Sequence, residues 1–268
     1  MHMPVPRMSE VAGRADQAAG LRQLFEDSGR AMRVLPVVGS GRLTSWLAQA
    51  LAEDADVLVL DHAAPDMGTR FQRRVRGDLA DLLAGKLQFD EAVTRVSERL
   101  ALLSMRDGAD VFLAHVAAGQ ARKADLFGGF LALAEPPDWL LINTQSLELA
   151  KELMDANGDL VLAVHDDPGS VREAYSRIKT VAGQGLGSHL RIAAFARDEL
   201  ASRRMFERLA ATADRFLDLP LGFGLALQES EDRRTPGSAL TARLRTAVHE
   251  WCPAEFPMQI SAKATNLA

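Results

Sequence analysis

Three short stretches of the chain carry the residue types that phosphate or metal chemistry would use. In the first, Gly39-Ser-Gly41-Arg42-Leu43-Thr44 follows an apolar run and precedes a helical pattern. A phosphate-binding loop at that place needs glycines whose N–H groups converge on phosphate, a lysine against the β- and γ-phosphates, and a hydroxyl for Mg²⁺. The stretch has Gly39, Gly41 and the Thr44 hydroxyl but no lysine, and the planar fork of Arg42 does not substitute for a compact ammonium at a packed site. It reads either as a tight strand-to-helix turn or as a residual nucleotide loop. Asp61 ends a second apolar run, where a carboxylate could position Mg²⁺-bound water or simply begin a turn. Asn143 ends a third, where an amide offers no anionic charge to a metal shell.

Two histidine-acid groups, His62 with Asp66 and His165 with Asp166 and Asp167, invite a metal reading. Divalent sites need three or four converging ligands at recognisable spacing, and no HxH, HExxH or cysteine cluster is present. Solvated loop residues are the reading adopted, and no metal site is expected. No G-x-S-x-G elbow or G-x-G-x-x-G fingerprint occurs. Gly183-Gln-Gly185-Leu-Gly187 precedes an apolar run rather than following one, so it stops a helix.

These residues have a common address, because the chain alternates short apolar runs with stretches of helical period. Expected strands are 33–38, 56–61, 138–143, 159–165 and 190–195, with weaker ones at 99–104 and within 217–227. Expected helices are 44–52, 147–156, one that begins at Pro168 and runs through Val181, 199–216 and 238–251. Residues 109–117 fit both periods and are read as helix. Near-continuous apolar strands such as Val57-Leu-Val-Leu60 are buried on both faces, which predicts an α/β fold: one doubly wound, mostly parallel, Rossmann-like sheet with helices on both faces. Ligands of such sheets sit at the carboxyl ends of strands, where Gly39–Thr44, Asp61, Asn143 and His165 fall.

A chain of 268 residues with 47% hydrophobic residues has the composition of one large globular domain rather than a disordered or repetitive chain. Its formal charge of −5 argues against nucleic-acid binding, which needs a concentrated cationic surface. The single cysteine, Cys252, forms no intrachain disulfide, and no apolar run is long enough to span a bilayer. No signal-peptide pattern opens the chain, so a cytoplasmic protein is expected. The expected division is an N-terminal segment 1–30, an α/β domain 31–252 and a tail 253–268.

The segment Asp16-Gln17-Ala18-Ala19-Gly20-Leu21-Arg22 resembles the N-terminal signature of the MinD-like flagellar number regulators, the FlhG or FleN type. Further segments are similar to that family in order. Arg33 to Val38 resembles its first strand, Val57-Leu-Val-Leu-Asp61 its "VLVLDAD" and Leu79-Ala-Asp-Leu-Leu-Ala-Gly85 its "LADVLxG". Asp138-Trp-Leu-Leu-Ile-Asn143-Thr144 is similar to "DYLLIDT", and Asp167 to Lys179 to "PEPTxxxDAYxxIK". The resemblance runs from about Asp16 to Glu250.

It implies a MinD/ParA-type P-loop fold, which in the family dimerises around ATP, and the departures fall where that chemistry is done. The family's "GKGGVGKT" loop is shortened to Gly39–Thr44 with both lysines lost. The second aspartate of "DAD" is Ala63, and the aspartate of "DT" is Asn143. The resemblance therefore implies a degenerate, ATPase-inactive nucleotide site at Gly39, Gly41, Arg42, Thr44, Asp61 and Asn143, with no cofactor expected unless the altered loop still takes ATP and Mg²⁺. It also implies that Asp16, Gln17, Gly20, Leu21 and Arg22 dock onto an FlhF-type signal-recognition GTPase, with Ala18, Ala19 and Leu21 as a small apolar face and recruitment to the cell pole or flagellar base. Without it, that segment reads as a helix packed on its own domain.

Family members often end in a membrane-targeting helix. Here the stripe Leu240, Leu244, Val248 and Trp251 reads as core-facing, and Arg243 and Arg245 are too few for a basic face. The remaining alternatives are an active ATPase that uses Arg42, Thr44 and Asp61, and a scaffold for another cell-pole or secretion system.

Overall fold

The computed structural model describes residues 32–63, 67–120, 123–154, 158–229 and 235–252. The segment Asp16–Arg22, Asp66 and the tail 253–268 lie outside them. Eight strands form one sheet in the order β3-β4-β2-β5-β1-β6-β7-β8. They are β1 (Arg33–Val38), β2 (Val57–Asp61), β3 (Thr94–Arg95), β4 (Leu100–Ser104), β5 (Trp139–Thr144), β6 (Leu160–His165), β7 (Leu190–Ala196) and β8 (Gly222–Gln228). Every pairing is parallel except that of β3 with β4. The doubly wound sheet expected from the sequence is therefore observed, with β1 and β2 central as their unbroken apolar character requires.

The helices are α1 (Gly41–Leu51), α2 (Met67–Phe71), α3 (Leu79–Leu83), α4 (Phe89–Ala92), α5 (Gly108–Ala117), α6 (Lys123–Leu131), α7 (Leu147–Leu153), α8 (Pro168–Gly183), α9 (Glu199–Leu217) and α10 (Ser238–Trp251). Alternation along the strands sends side chains to two faces. Leu35, Val37, Val59, Leu141 and Phe195 pack with Trp46 and Leu47 of α1 and with Leu244 and Val248 of α10. On the other face, Leu58, Leu60, Leu140 and Ile142 meet Phe112 and Phe127 of α5 and α6, while Leu162, Val164 and Ile192 meet Ile178 of α8 and Leu209 of α9. The stripe Leu240, Leu244, Val248 and Trp251 is thus buried in the core, as its spacing predicted.

From β1 the chain winds outward to β2 and β4 and returns through β5. It then passes β1 to β6, β7 and β8 on the opposite side. The carboxyl ends of β1 and its neighbours are therefore the topological switch point, where such sheets form their crevice.

Several boundaries differ from expectation for local reasons. Helix α1 starts at Gly41 instead of Thr44, because the Ser40 hydroxyl accepts from the Leu43 N–H and caps the helix at once. Gly39 has φ +94°, and a Cβ there would come within 3.1 Å of both Ala163 O and Arg177 Nη1, so only glycine fits this reversal. Helix α9 runs through Leu217 and ends with Asp218 in the left-handed region, φ 51°, so the last strand, expected within 217–227, occupies Gly222–Gln228. The two-residue β3 and the short helices α2 and α4 carry too little periodicity to be read in advance.

Candidate functional site

The first cluster at the switch point lies across the ends of β1, β5 and β2. Thr44, on the first turn of α1, and Asn143, in β5, are fully buried, and Asp61 at the end of β2 is 5% exposed. Register in the sheet places Asp61 directly beside Asn143. The Asn143 amide Nδ2 donates to Asp61 Oδ1 at 2.7 Å, and its Oδ1 accepts from Thr44 Oγ1 at 3.0 Å. That orientation is the one chemistry allows, since a carboxylate only accepts and must face the NH₂ group. Asp61 Oδ2 accepts from the Met67 N–H at 2.5 Å, at the start of α2. The single Thr44 proton is shared between Asn143 Oδ1 and the Ser40 carbonyl, 3.1 Å away. The hydroxyl and the carboxylate are thus joined by a neutral amide, with both Asp61 oxygens accepting.

Arg42 points away from this chain. Its Nη2 donates to Glu229 Oε2 at 2.9 Å and its Nη1 to the Glu229 carbonyl at 3.2 Å. Its guanidinium carbon lies 4.7 Å from the centre of the Phe195 ring and 5.4 Å from that of Trp46. Glu229, immediately after β8, also accepts from His165 Nδ1, and the His165 ring stacks on Phe195 with centroids 4.7 Å apart and planes 14° apart. Burial works against the Glu229 carboxylate, but the hydrogen bonds from Arg42 and His165 outweigh it and lower its pKa from the ordinary value.

A second guanidinium, Arg177 of α8, lies against the Gly39 reversal. Its Nη2 donates to Glu173 Oε1 at 2.6 Å and to Gln145 Oε1 at 3.2 Å.

The structure therefore splits the sequence-derived set: it brings Thr44, Asp61 and Asn143 together, lines the turn with Gly39 and Gly41, and sends Arg42 elsewhere. The histidines part company too. His62 Nδ1 meets Thr144 Oγ1 at 2.9 Å, His165 goes to Glu229, and Asp167 caps α8 by accepting from Gly169 and Ser170 N–H at 2.9 Å. Among the described residues no three histidine, cysteine, aspartate or glutamate side chains are grouped as metal ligands. Sequence reasoning passed over Glu229, Phe195 and Arg177. Glu229 had a usable signal, since it lies just beyond the carboxyl end of a strand.

No family model matches the sequence, and no curated protein matches it. The solved structures that resemble it do so in fold. A Cyanothece McdA variant in complex with ATP is 16% identical over 83% of this chain and 96% of its own, with a TM-score of 0.58. MinD from Aquifex aeolicus is 17% identical over 80% and 95%, at 0.53. Cobyrinic acid a,c-diamide synthase from Mycobacterium smegmatis, with bound ADP and magnesium, is 20% identical over 85% and 98%, at 0.54. The fold is that of the MinD/ParA-type P-loop proteins. At the described residues no helix is long and apolar enough to cross a membrane.

Proposed function

We propose that this chain is a degenerate MinD-like regulator of flagellar number or placement, of the FlhG or FleN type, which acts by protein–protein contact rather than by ATP hydrolysis. The observation that carries the nucleotide half of this reading is the closed chain Thr44–Asn143–Asp61. In a working P-loop site the threonine hydroxyl binds Mg²⁺ and the strand-end carboxylate supports its shell. Here the Asn143 amide supplies the donor that Asp61 requires and the acceptor that Thr44 requires, which a second carboxylate in its place could not do without a proton or a cation. The turn holds no lysine, and the only cation in it, Arg42, is spent on Glu229. The residues at this place do not fit a Mg²⁺-triphosphate.

The partner half rests on the segment Asp16 to Arg22, whose polar residues and small apolar face suit a docking helix. Its partner is an FlhF-type signal-recognition GTPase, met in the cytoplasm and at the cell pole or flagellar base. A peptide spanning residues 8–26 should bind or stimulate such a GTPase on its own. Replacing Gln17 and Leu21 by alanine should weaken that binding strongly, as loss of anchor residues does. The same change should alter the stability of the whole chain by about 1 kcal/mol or less. An inert peptide together with an unfolded double variant would make the segment structural and remove the flagellar reading.

A further inference from the structure

Arg42, Glu229 and His165 come from three separate elements, and together with the Phe195 ring they tie one half of the sheet's carboxyl edge together. Arg42 stands in the first turn of α1, His165 ends β6, Phe195 lies near the end of β7 and Glu229 follows β8. The guanidinium lies over the Phe195 ring while Nη1 and Nη2 donate to the Glu229 backbone carbonyl and side-chain carboxylate. Glu229 is in turn anchored to β7 by its own N–H, which donates to Ala196 O at 2.8 Å. The Arg42 side chain is only 14% exposed, so the contact is shielded in the way free surface pairs are not.

We propose that this cluster is an internal clasp: the planar Arg42 guanidinium fills a slot built from Phe195, Trp46 and Glu229 and thereby fastens the start of α1 to the end of β8 with no ligand bound. The slot is shaped for a planar cation. A ring face below and two acceptors at one side match the fork of a guanidinium, and the rounded ammonium of a shorter-reaching lysine would satisfy the charge without the stacking or the paired donation. Among the described residues, the neighbouring charges are engaged elsewhere: Asp166 lies 3.8 Å from Arg208, Arg197 lies 3.2 Å from Asp198, and Arg243 donates to Ala226 O at 2.8 Å. None of them competes for Glu229. The clasp accounts for why the candidate phosphate-balancing cation of the turn is engaged by Glu229 and not by the Thr44–Asn143–Asp61 chain.

Amide hydrogen exchange of the full chain without nucleotide tests it. In Arg42→Ala, exchange should speed up about tenfold or more in peptides covering 39–46 and 226–229, while peptides over β2 and β4 keep wild-type rates. Arg42→Lys should retain most of that acceleration, because the charge alone does not rebuild the slot. Glu229→Gln, which keeps the backbone carbonyl, should show a smaller increase confined to the same peptides. Lys86→Ala, which removes the exposed pair with Asp81 beside α3, should leave both segments unchanged. Wild-type rates in Arg42→Ala, or full recovery in Arg42→Lys, would overturn the clasp. The clasp does not depend on the proposed nucleotide-independent function: binding of ATP to the wild-type chain would count against that function, whereas these rates are read with none present.

Discussion

The two clusters at the carboxyl edge sit a few residues apart on α1 yet obey different rules. The Thr44–Asn143–Asp61 chain is buried, carries a single carboxylate, and is held by hydrogen bonds whose directions are fixed by which atoms can donate. The Arg42–Glu229–His165 cluster is charged and only partly exposed, 14% at Arg42 and 40% at Glu229, and its members are held by attraction and stacking. In the first, any change of hydrogen-bonding type leaves a buried group without a partner, so the cost is the desolvation penalty. In the second, Arg42 is shielded but Glu229 and His165 are partly open to water, so a lost partner is replaced in part by solvent, and the stability cost is smaller than in the buried chain.

The contrast is sharpest at Asn143. Asn143→Asp restores the carboxylate found in the resembled family and sets it against Asp61 where the amide now donates at 2.7 Å. Two buried carboxylates at that separation cannot both ionise, so one must stay protonated well above the ordinary aspartate value. A group whose folded pKa is raised contributes stability at low pH and loses it as pH rises through the folded value. The variant should therefore lose about 4 kcal/mol at pH 7, from roughly three pH units of forced protonation, and lose almost nothing relative to wild type near pH 4. Urea unfolding at the two pH values measures this. Recovery of the pH 7 loss by millimolar Mg²⁺ would mean that the arrangement still accepts a metal ion.

A smaller loss is expected for Thr44→Val, which keeps the shape but leaves Asn143 Oδ1 without its donor: about 1–2 kcal/mol, independent of pH between 5 and 8. A pH-dependent loss would place an ionisable group in this chain other than Asp61.

The least effect on stability belongs to the exposed cluster. Glu229 has a lowered pKa, so its contribution is present above the ordinary glutamate value of 4.5 and is lost as pH falls through the folded value below it. Glu229→Gln should cost under about 1 kcal/mol at pH 7, and the difference from wild type should shrink as pH falls below 4.5. A cost like that of Thr44→Val would mean the two clusters are not distinct in kind.

Much of this was legible in the sequence because strand burial writes itself as unbroken apolar runs. The central strands β1, β2, β5 and β6 could be placed to within a residue or so, and the carboxyl-edge rule then picked out Thr44, Asp61 and Asn143. The direction of Arg42 was not legible. It depends on Glu229, 187 residues away, and on the Phe195 ring, which come together only once β8 pairs with β7. The last strand could be placed only within 217–227, because the left-handed cap at Asp218 that separates it from α9 leaves no mark in the apolar pattern. The amide bridge was half legible: that Asn143 lacks charge was plain, but that it completes a closed chain of donors and acceptors needed the β2–β5 register.

Titration of the full-length wild-type chain with ATP and Mg²⁺, read by calorimetry and by thermal unfolding, tests most directly whether the Thr44–Asn143–Asp61 chain has replaced the nucleotide. No binding heat and an unchanged melting temperature at millimolar ATP are expected. A micromolar dissociation constant, with stabilisation of about 2.7 kcal/mol at a hundredfold excess over it, would contradict the account.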